Sequence, residues 1–568
     1  MRVLGLLLVA LGFGCSHRAV VVGNDDARTS SNAGPAADGF ILPPATGTAD
    51  VCGRGQVLVS LYRDPRGNFT LAHAPSLQAA PVSVAAAGSQ TSAAAVGGEG
   101  VAALVVTRAS RLPLSVELDL LGARLAQVVA PGSVAQRSSG TAGTSHDGFN
   151  TIQQATWDLV LDGSTSPCQT RNLLLAAVLD RPPTEIASPP CMDSLSTEQV
   201  VQLSLVQRTS GQIAVTAAVA DRAALEHPGS ALGARLDDLA NGTALAGGNA
   251  TTEPLCDEIV AKGLPEADII WVVDESGSMD DNRKDIVDNA TLFFGKAKSA
   301  GLDFRVGVTG VVAPNGSTLK LGKLCSAIST KSDHDGGEDR FLLPHEGDLF
   351  AACVENPPHY EGGQEYGLLN ARFAVERHLP RAAGDSRRIR PGAQLVLIVA
   401  TDEVPQSLSE LIGDGYYRDC TLPAGKQAAI AQVLAAYLDL FSGKSDPEAR
   451  ATLHVIGGAC NNSCTADVAH GYRELAQQLK GQVGDVCQPD LGATLQAIVD
   501  GIIGSASPLT LSHTPISATL AVNLAGQRIP RGVVPGFSYN PAHNSLAFLD
   551  IPVSKGQGLT VSYRRFVK

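Results

Sequence analysis

Residues 268–279 read Asp268-Ile269-Ile270-Trp271-Val272-Val273-Asp274-Glu275-Ser276-Gly277-Ser278-Met279. The near-continuous apolar run from Ile269 to Val273 suits a strand buried on both faces. Downstream, Ile286, Ala290, Phe293, Phe294 and Ala297 fall on one side of a helix. The stretch is therefore a strand, a short acidic and hydroxyl-bearing loop, and a helix. In an open α/β sheet, ligands collect outside the carboxyl ends of the strands, where Asp274, Ser276 and Ser278 stand. One carboxylate and two hydroxyls at alternate positions supply one side of the oxygen shell that a hard divalent cation, Mg2+ or Ca2+, requires. Gly277 is expected to let the loop bend.

Working outward, the apolar runs Phe304 to Thr309, Leu395 to Thr401 and Thr452 to Ile456 read as further buried strands. Helices alternate with them. From Gln427 to Phe441, residues Ile430, Val433, Leu434, Tyr437, Leu438 and Phe441 share one face, and Leu491, Leu495, Ile498 and Ile502 mark the last helix. Such alternation is the pattern of a parallel sheet covered on both sides. A cation held at one strand end needs a carboxylate from another, and Asp402 follows Leu395–Thr401 directly.

The D-x-S-x-S pentapeptide after a strand, with Thr-Asp closing a later strand, resembles the von Willebrand factor A (VWA) family and its metal-ion-dependent adhesion site. The resemblance covers residues 265–505. It implies a doubly wound, Rossmann-like domain, a cation bound by Asp274, Ser276, Ser278 and Asp402, and protein binding rather than catalysis. Two departures stand out. Glu403 occupies the place where the family usually has glycine, and the loop Glu361-Gly362-Gly363-Gln364-Glu365-Tyr366-Gly367-Leu368 lacks the family's threonine, with Gln364 or Glu365 nearest its place. Glu365 is the expected additional ligand. Three carboxylates would outweigh a charge of +2, so an acidic partner group would be repelled rather than recruited.

Other motifs read as structure. Asp162-Gly163-Ser164-Thr165-Ser166 repeats the pentapeptide, but Pro167-Cys168 follows it, and it is expected to be a hairpin turn. Asp333, Asp335, Glu338 and Asp339 form an acidic loop without calcium-loop spacing, expected to border the metal face as a binding loop stapled by Cys325 and Cys353. His454, inside an apolar strand, is expected to be a core residue. Neither H-E-x-x-H, G-x-S-x-G nor a phosphate-binding G-x-x-x-x-G-K occurs, so the chain is expected not to be an enzyme.

The flanks differ from the centre. Residues 51–222 carry short apolar runs, Gln56–Tyr62, Val101–Thr107, Leu114–Leu118, Thr156–Leu161, Leu173–Leu179 and Gln212–Val219, expected as strands of a sandwich-like β-rich domain. Residues 223–264 are expected to connect it to the centre. Residues 506–568 are expected to form a small β segment with strands at Ala518–Leu524, Ser545–Leu549 and Leu559–Tyr563. The fold class is thus multidomain.

The N-terminus sets the compartment. Residues 1–15, MRVLGLLLVALGFGC, resemble a lipoprotein signal ending at Cys15 as the lipidated residue, and residues 16–50 have the composition of a flexible tether. Of eleven cysteines, those other than Cys15 can close disulfides after export, with proximity suggesting Cys168–Cys191 and Cys325–Cys353. Cys460-Asn-Asn-Ser-Cys464 has a zinc-like spacing without a second ligand pair, so a disulfide is preferred there. A balance of 43 basic against 56 acidic residues, net −13, argues against nucleic-acid binding. The resulting expectation is an exported, outer-membrane lipoprotein that touches the membrane only through its lipid and binds an unidentified protein partner, in adhesion or assembly. The alternatives are a structural envelope component whose metal only braces the fold, and an enzyme within residues 51–222.

Overall fold

The protein, represented by a computed structural model, is described over residues 52, 58–84, 88–142, 152–185, 195–208, 210–227, 229–312, 321–327, 336–358, 364–460 and 464–567. The expectations for the signal segment, Cys15, the tether, Asp333 and Asp335 lie outside the described residues.

The four expected apolar runs form a parallel sheet, which a fifth strand not expected from the sequence, Gln482–Asp485, extends. Its order is Asp303–Gly310, Glu266–Val273, Gln394–Ala400, Ala451–Gly457 and Gln482–Asp485. Alternate residues of the Glu266–Val273 strand enter opposite cores, as a pleated strand buried on both faces must. Ile269, Trp271 and Val273 pack with Phe293, Phe350, Leu495 and Ile498, whereas Ile270 and Val272 pack with Leu368, Val375, Leu408 and Leu434. Trp271 sits 5.7 Å, centroid to centroid, from both Phe293 and Phe350. Such edge-to-face contacts add to the burial that fixes this strand centrally.

The β-rich half is not a separate sandwich. Gln482–Asp485 pairs antiparallel with Ser133–Ala142, Gln482 opposite Gly140 and Val483 opposite Ser139. From there the sheet continues through Ile152–Thr165, Ser196–Gln207, Gln212–Asp221, Val101–Ala109, Ser92–Gly98 and Gln78–Val82, making twelve strands. A Cβ on Gly140 would lie 2.8 Å from the Gly481 carbonyl oxygen, so a bare glycine permits this junction. The chain is a multidomain, mixed α/β protein whose two halves share one sheet.

Two expected strands are helices. Leu114–Leu118 opens the helix Leu114–Val129, which buries Leu114, Leu118, Leu121, Leu125 and Val129 at helical spacing. Leu173–Leu179 closes the helix Pro167–Leu179, whose residues Leu174 to Val178 are all buried, which erases the periodicity a sequence reading relies on. Ser166 caps that helix, its hydroxyl accepting from the Gln169 amide and Gln169 answering in a capping box, with Pro167 in the first turn. The second pentapeptide therefore leads from a strand into a helix and is not a hairpin turn. Both helices cover one face of the antiparallel strands, and the helix Leu232–Ala240 with a three-stranded sheet (Ser60–Arg63, Thr70–His73, Leu245–Ala246) covers the other.

The expected connector also carries structure. Besides the helix Leu232–Ala240, it contains the strand Thr251–Val260, which pairs along its length with the C-terminal strand Gly558–Val567. Ala521–Leu524 and Gln527–Ile529 complete that sheet, and Gly536–Asn540 pairs with Ser545–Leu549. Buried Arg531 donates from Nη1 to Asp238 Oδ2 at 2.6 Å, fastening the C-terminal segment to the connector helix. Disulfides join Cys52 to Cys256, Cys325 to Cys353 as expected, and Cys464 to Cys487, which settles the zinc-like spacing as disulfide chemistry at Cys464. Cys168 is also disulfide-bonded, and its expected partner Cys191 lies outside the described residues. Among the described residues no helix is long and apolar enough to cross a membrane.

Candidate metal centre

In the parallel half the chain runs from Glu266–Val273 to Asp303–Gly310 on one side, and the next strand, Gln394–Ala400, lies on the other. Connections leaving in opposite directions open a crevice at the carboxyl ends of the two strands. Asp274 follows the first and Thr401-Asp402 the second. Val273 lies opposite Ala400 in register, and the Asp274 amide donates to the Ala400 carbonyl at 2.9 Å, so the two loops start side by side.

The first loop is held from three directions. The Ser276 amide donates to Asp274 Oδ1 at 2.8 Å, and the Thr401 hydroxyl donates to Asp274 Oδ2 at 2.6 Å. Arg283, one helical turn on, donates from Nη1 to the carbonyls of Asp274 at 2.7 Å and Ser276 at 2.9 Å. Glu275 turns away from the crevice and accepts from the amides of Val311 and Val312 at 2.9 and 3.0 Å, bolting the loop to the neighbouring strand end. Gly277 starts a 3-10 turn with open space where a Cβ would sit and is not among the residues of positive φ. The bend is therefore made by these hydrogen bonds, and the sequence expectation for Gly277 is corrected.

Asp274 is fully buried, and the hydroxyls of Ser276 and Ser278 that follow it are 3.0 Å apart. Ser278 bonds the Asp402 carboxyl, so four expected ligands meet at one rim. Glu365 joins them. Its backbone bridges Val312 and accepts from the Gln406 amide at 2.9 Å, while its carboxyl bonds that of Asp274. Burial, and then the Asp274 carboxylate, push Glu365 up to about 10, so without a cation this cluster holds a proton at neutral pH. Partial burial and Asp274 also push Asp402 and Glu403 upward, against the bond from Ser278 in the case of Asp402. Glu403, standing where a glycine was expected, bonds Glu365 and adds a further acid; its departure from the family pattern was the signal for it. Asp467 donates its amide to the Asp402 carbonyl at 2.8 Å, and buried Tyr472 packs its hydroxyl where a Cβ on Gly367 would come within 2.3 Å. Neither had a signal in the sequence.

The donor set suits a hard cation. Glu365 Oε2 and Asp402 Oδ1 are buried and accept from no N–H or O–H of the described residues, a costly arrangement unless a proton shared between the carboxyls or a cation completes it. Among the described residues no three His, Cys, Asp or Glu side chains converge as a metal-binding group by themselves. A cation here would draw on serine hydroxyls and water as well as carboxylates.

The other candidates are structural. Asp339, expected in a binding loop, accepts from the Leu324 amide at 2.9 Å and also bonds Arg377 and His378, which hold its carboxyl well below the usual range against the opposing effect of burial. It anchors its loop; Glu338 is exposed. His454 is fully buried, accepts from the Gln482 amide at 3.0 Å, and is pushed down to about 3 by burial and by His543, as a neutral core residue.

No family model matches the chain, and no curated protein matches it. Among solved structures, the pilus adhesin SpaC from Lactobacillus rhamnosus GG in its open conformation is similar at 15% identity and a TM-score of 0.28, over 56% of this chain and 42% of that one. Proximal thread matrix protein 1 from the mussel byssus is similar at 14% identity and a TM-score of 0.23, over 42% of this chain and 49% of its own. The chain spans less than half the length of either neighbour, and likenesses of that degree carry no inference about its activity.

Proposed function

We propose that residues 265–505 form a VWA-like domain that binds Mg2+ or Ca2+ through Asp274, Ser276, Ser278, Asp402 and Glu365, and presents the surrounding loops to a protein partner. The observation that carries this reading is the pair of partnerless, buried carboxyl oxygens, Glu365 Oε2 and Asp402 Oδ1, in the crevice of two touching serine hydroxyls. A bound cation would take the place of the proton that the cluster otherwise holds. The chain's own residues do the rest. Thr401 and the Ser276 amide orient Asp274, Arg283 fixes the loop carbonyls, and Glu275 ties the loop to the sheet.

The excess of acids shapes how a partner is met. Asp274, Asp402, Glu365 and Glu403 together exceed a charge of +2, so the ion is satisfied within the domain and braces the loops rather than bridging to a partner's carboxylate. Disulfides among the described residues fit an exported protein. We place it in the cell envelope, anchored through a lipid on Cys15, in adhesion or assembly. A purely structural envelope role is the second reading, favoured by the same excess of acids.

Calorimetric titration of the full chain with Mg2+ and Ca2+ tests the site. Binding that survives Asp274→Asn unchanged would remove it. Capture of a partner that chelator abolishes while the fold stays intact supports the interaction reading, and capture indifferent to chelator supports the structural one.

A further inference from the structure

Two loops beyond the crevice meet edge to edge. One follows Asp402 through the helix Gln406–Ile412 to Cys420, and the other leaves the strand Ala451–Gly457 and carries Cys460 and Asp467. They are laced together. The Asp467 amide donates to the Asp402 carbonyl and the Val468 amide to the Tyr417 carbonyl, both at 2.8 Å. Arg418 Nη2 donates to the Thr465 carbonyl at 2.9 Å, and His470 Nε2 lies 2.8 Å from the Asp419 carbonyl. This lacing brings the side chains of Cys420 and Cys460 into hydrogen-bonding contact. Arg473 closes the other side of Cys460, with Nη1 3.0 Å from its sulfur and Nη2 2.8 Å from Asp119.

We propose that Cys420 and Cys460 are the two halves of a further disulfide, which cross-links the loop following Asp402 to the loop carrying Asp467. The remaining described cysteines are already disulfide-bonded, including Cys464 in the same loop as Cys460. Two thiols held in contact in that setting close by exchange with a disulfide oxidant, small or protein-borne. One protein thiolate attacks the oxidant's disulfide, forming a mixed disulfide and releasing one reduced thiol. The second protein sulfur, losing its proton, then displaces the other. Two protein thiols and one oxidant disulfide become one protein disulfide and two reduced thiols. Either thiol can make the first attack, since the balance is the same in both orders. This disulfide forms with or without a cation in the crevice.

Peptide mapping tests it on the full chain, produced by export or refolded in a glutathione redox buffer. The protein is denatured with an alkylating reagent and no reductant, then digested. The expected result is a linked peptide pair containing Cys420 and Cys460, with neither residue alkylated, and one newly alkylated thiol, Cys460, in Cys420→Ser. Linked Cys325–Cys353 and Cys464–Cys487 peptides in the same digest show that oxidation was complete. Alkylation of both Cys420 and Cys460 in that digest, or linkage of either to another cysteine, overturns the proposal.

Discussion

Replacing Glu365 by glutamine removes the group whose proton the cation has to displace. Glu365, pushed up to about 10, leaves the cluster with one proton at pH 7, shared with the Asp274 and Glu403 carboxyls. Releasing a proton about three pH units below such a pKa costs about 4 kcal/mol, an upper limit because the crevice is partly open to solvent and screening reduces it. Cation binding to the native chain should therefore release about one proton, and apparent affinity should rise by up to tenfold per pH unit between pH 7 and 9. In Glu365→Gln both effects should largely vanish. Titration calorimetry at pH 7 in two buffers of different ionisation enthalpy counts the protons directly. Binding of Mg2+ or Ca2+ to the native chain without proton release, or equal release by Glu365→Gln, would refute a displaced Glu365 proton.

Stability should carry the mirror image of this linkage. Between about 4.5 and about 10 the cation-free folded state keeps a proton that the unfolded chain has lost, so stability falls as pH rises through that window, and saturating Mg2+ should flatten the slope in thermal melts. Ser276→Ala with Ser278→Ala should weaken cation binding at least tenfold in calorimetry while circular dichroism stays unchanged. Arg531→Met strands the buried Asp238 and should cost about 3–5 kcal/mol in urea unfolding. A methyl group at Gly367 collides with the Tyr472 hydroxyl, so Gly367→Ala should lower the melting temperature, and Tyr472→Phe in the same chain should restore part of the loss.

The parallel half was legible because its strands are uninterrupted apolar runs and its ligands sit at their ends. Val273 and Ala400 lie opposite each other in register, so placing both strands also placed Asp274 beside Asp402. Residues that complete the site from elsewhere were not legible. Asp467 arrives from a loop and Tyr472 from the start of the helix Tyr472–Gln478, both positioned by tertiary packing, and Glu275 differs from its neighbours only in pointing the other way. In the β-rich half, Leu114, Leu118, Leu121, Leu125 and Val129 carried a helical period that a reading stopped at Leu118 truncates. The helix Pro167–Leu179, by contrast, is buried nearly all round, so only Ser166, Pro167 and Gln169 at its start announced it. The shared sheet had no sequence signal, because Gln482 to Asp485 looks alike whether its far side is an edge or a neighbour.

That shared sheet has a practical consequence for dissecting the protein. The join between Gln482–Val483 and Ser139–Gly140 spans two residue pairs, yet it covers the flank of the parallel strands. Excising residues 265–505 would strip that flank and leave a bare row of amides and carbonyls open to any passing strand. Fragments cut at the apparent boundary should clump through this raw edge, and a soluble piece must keep Ser133–Ala142 or blunt Gln482 and Val483 with charge.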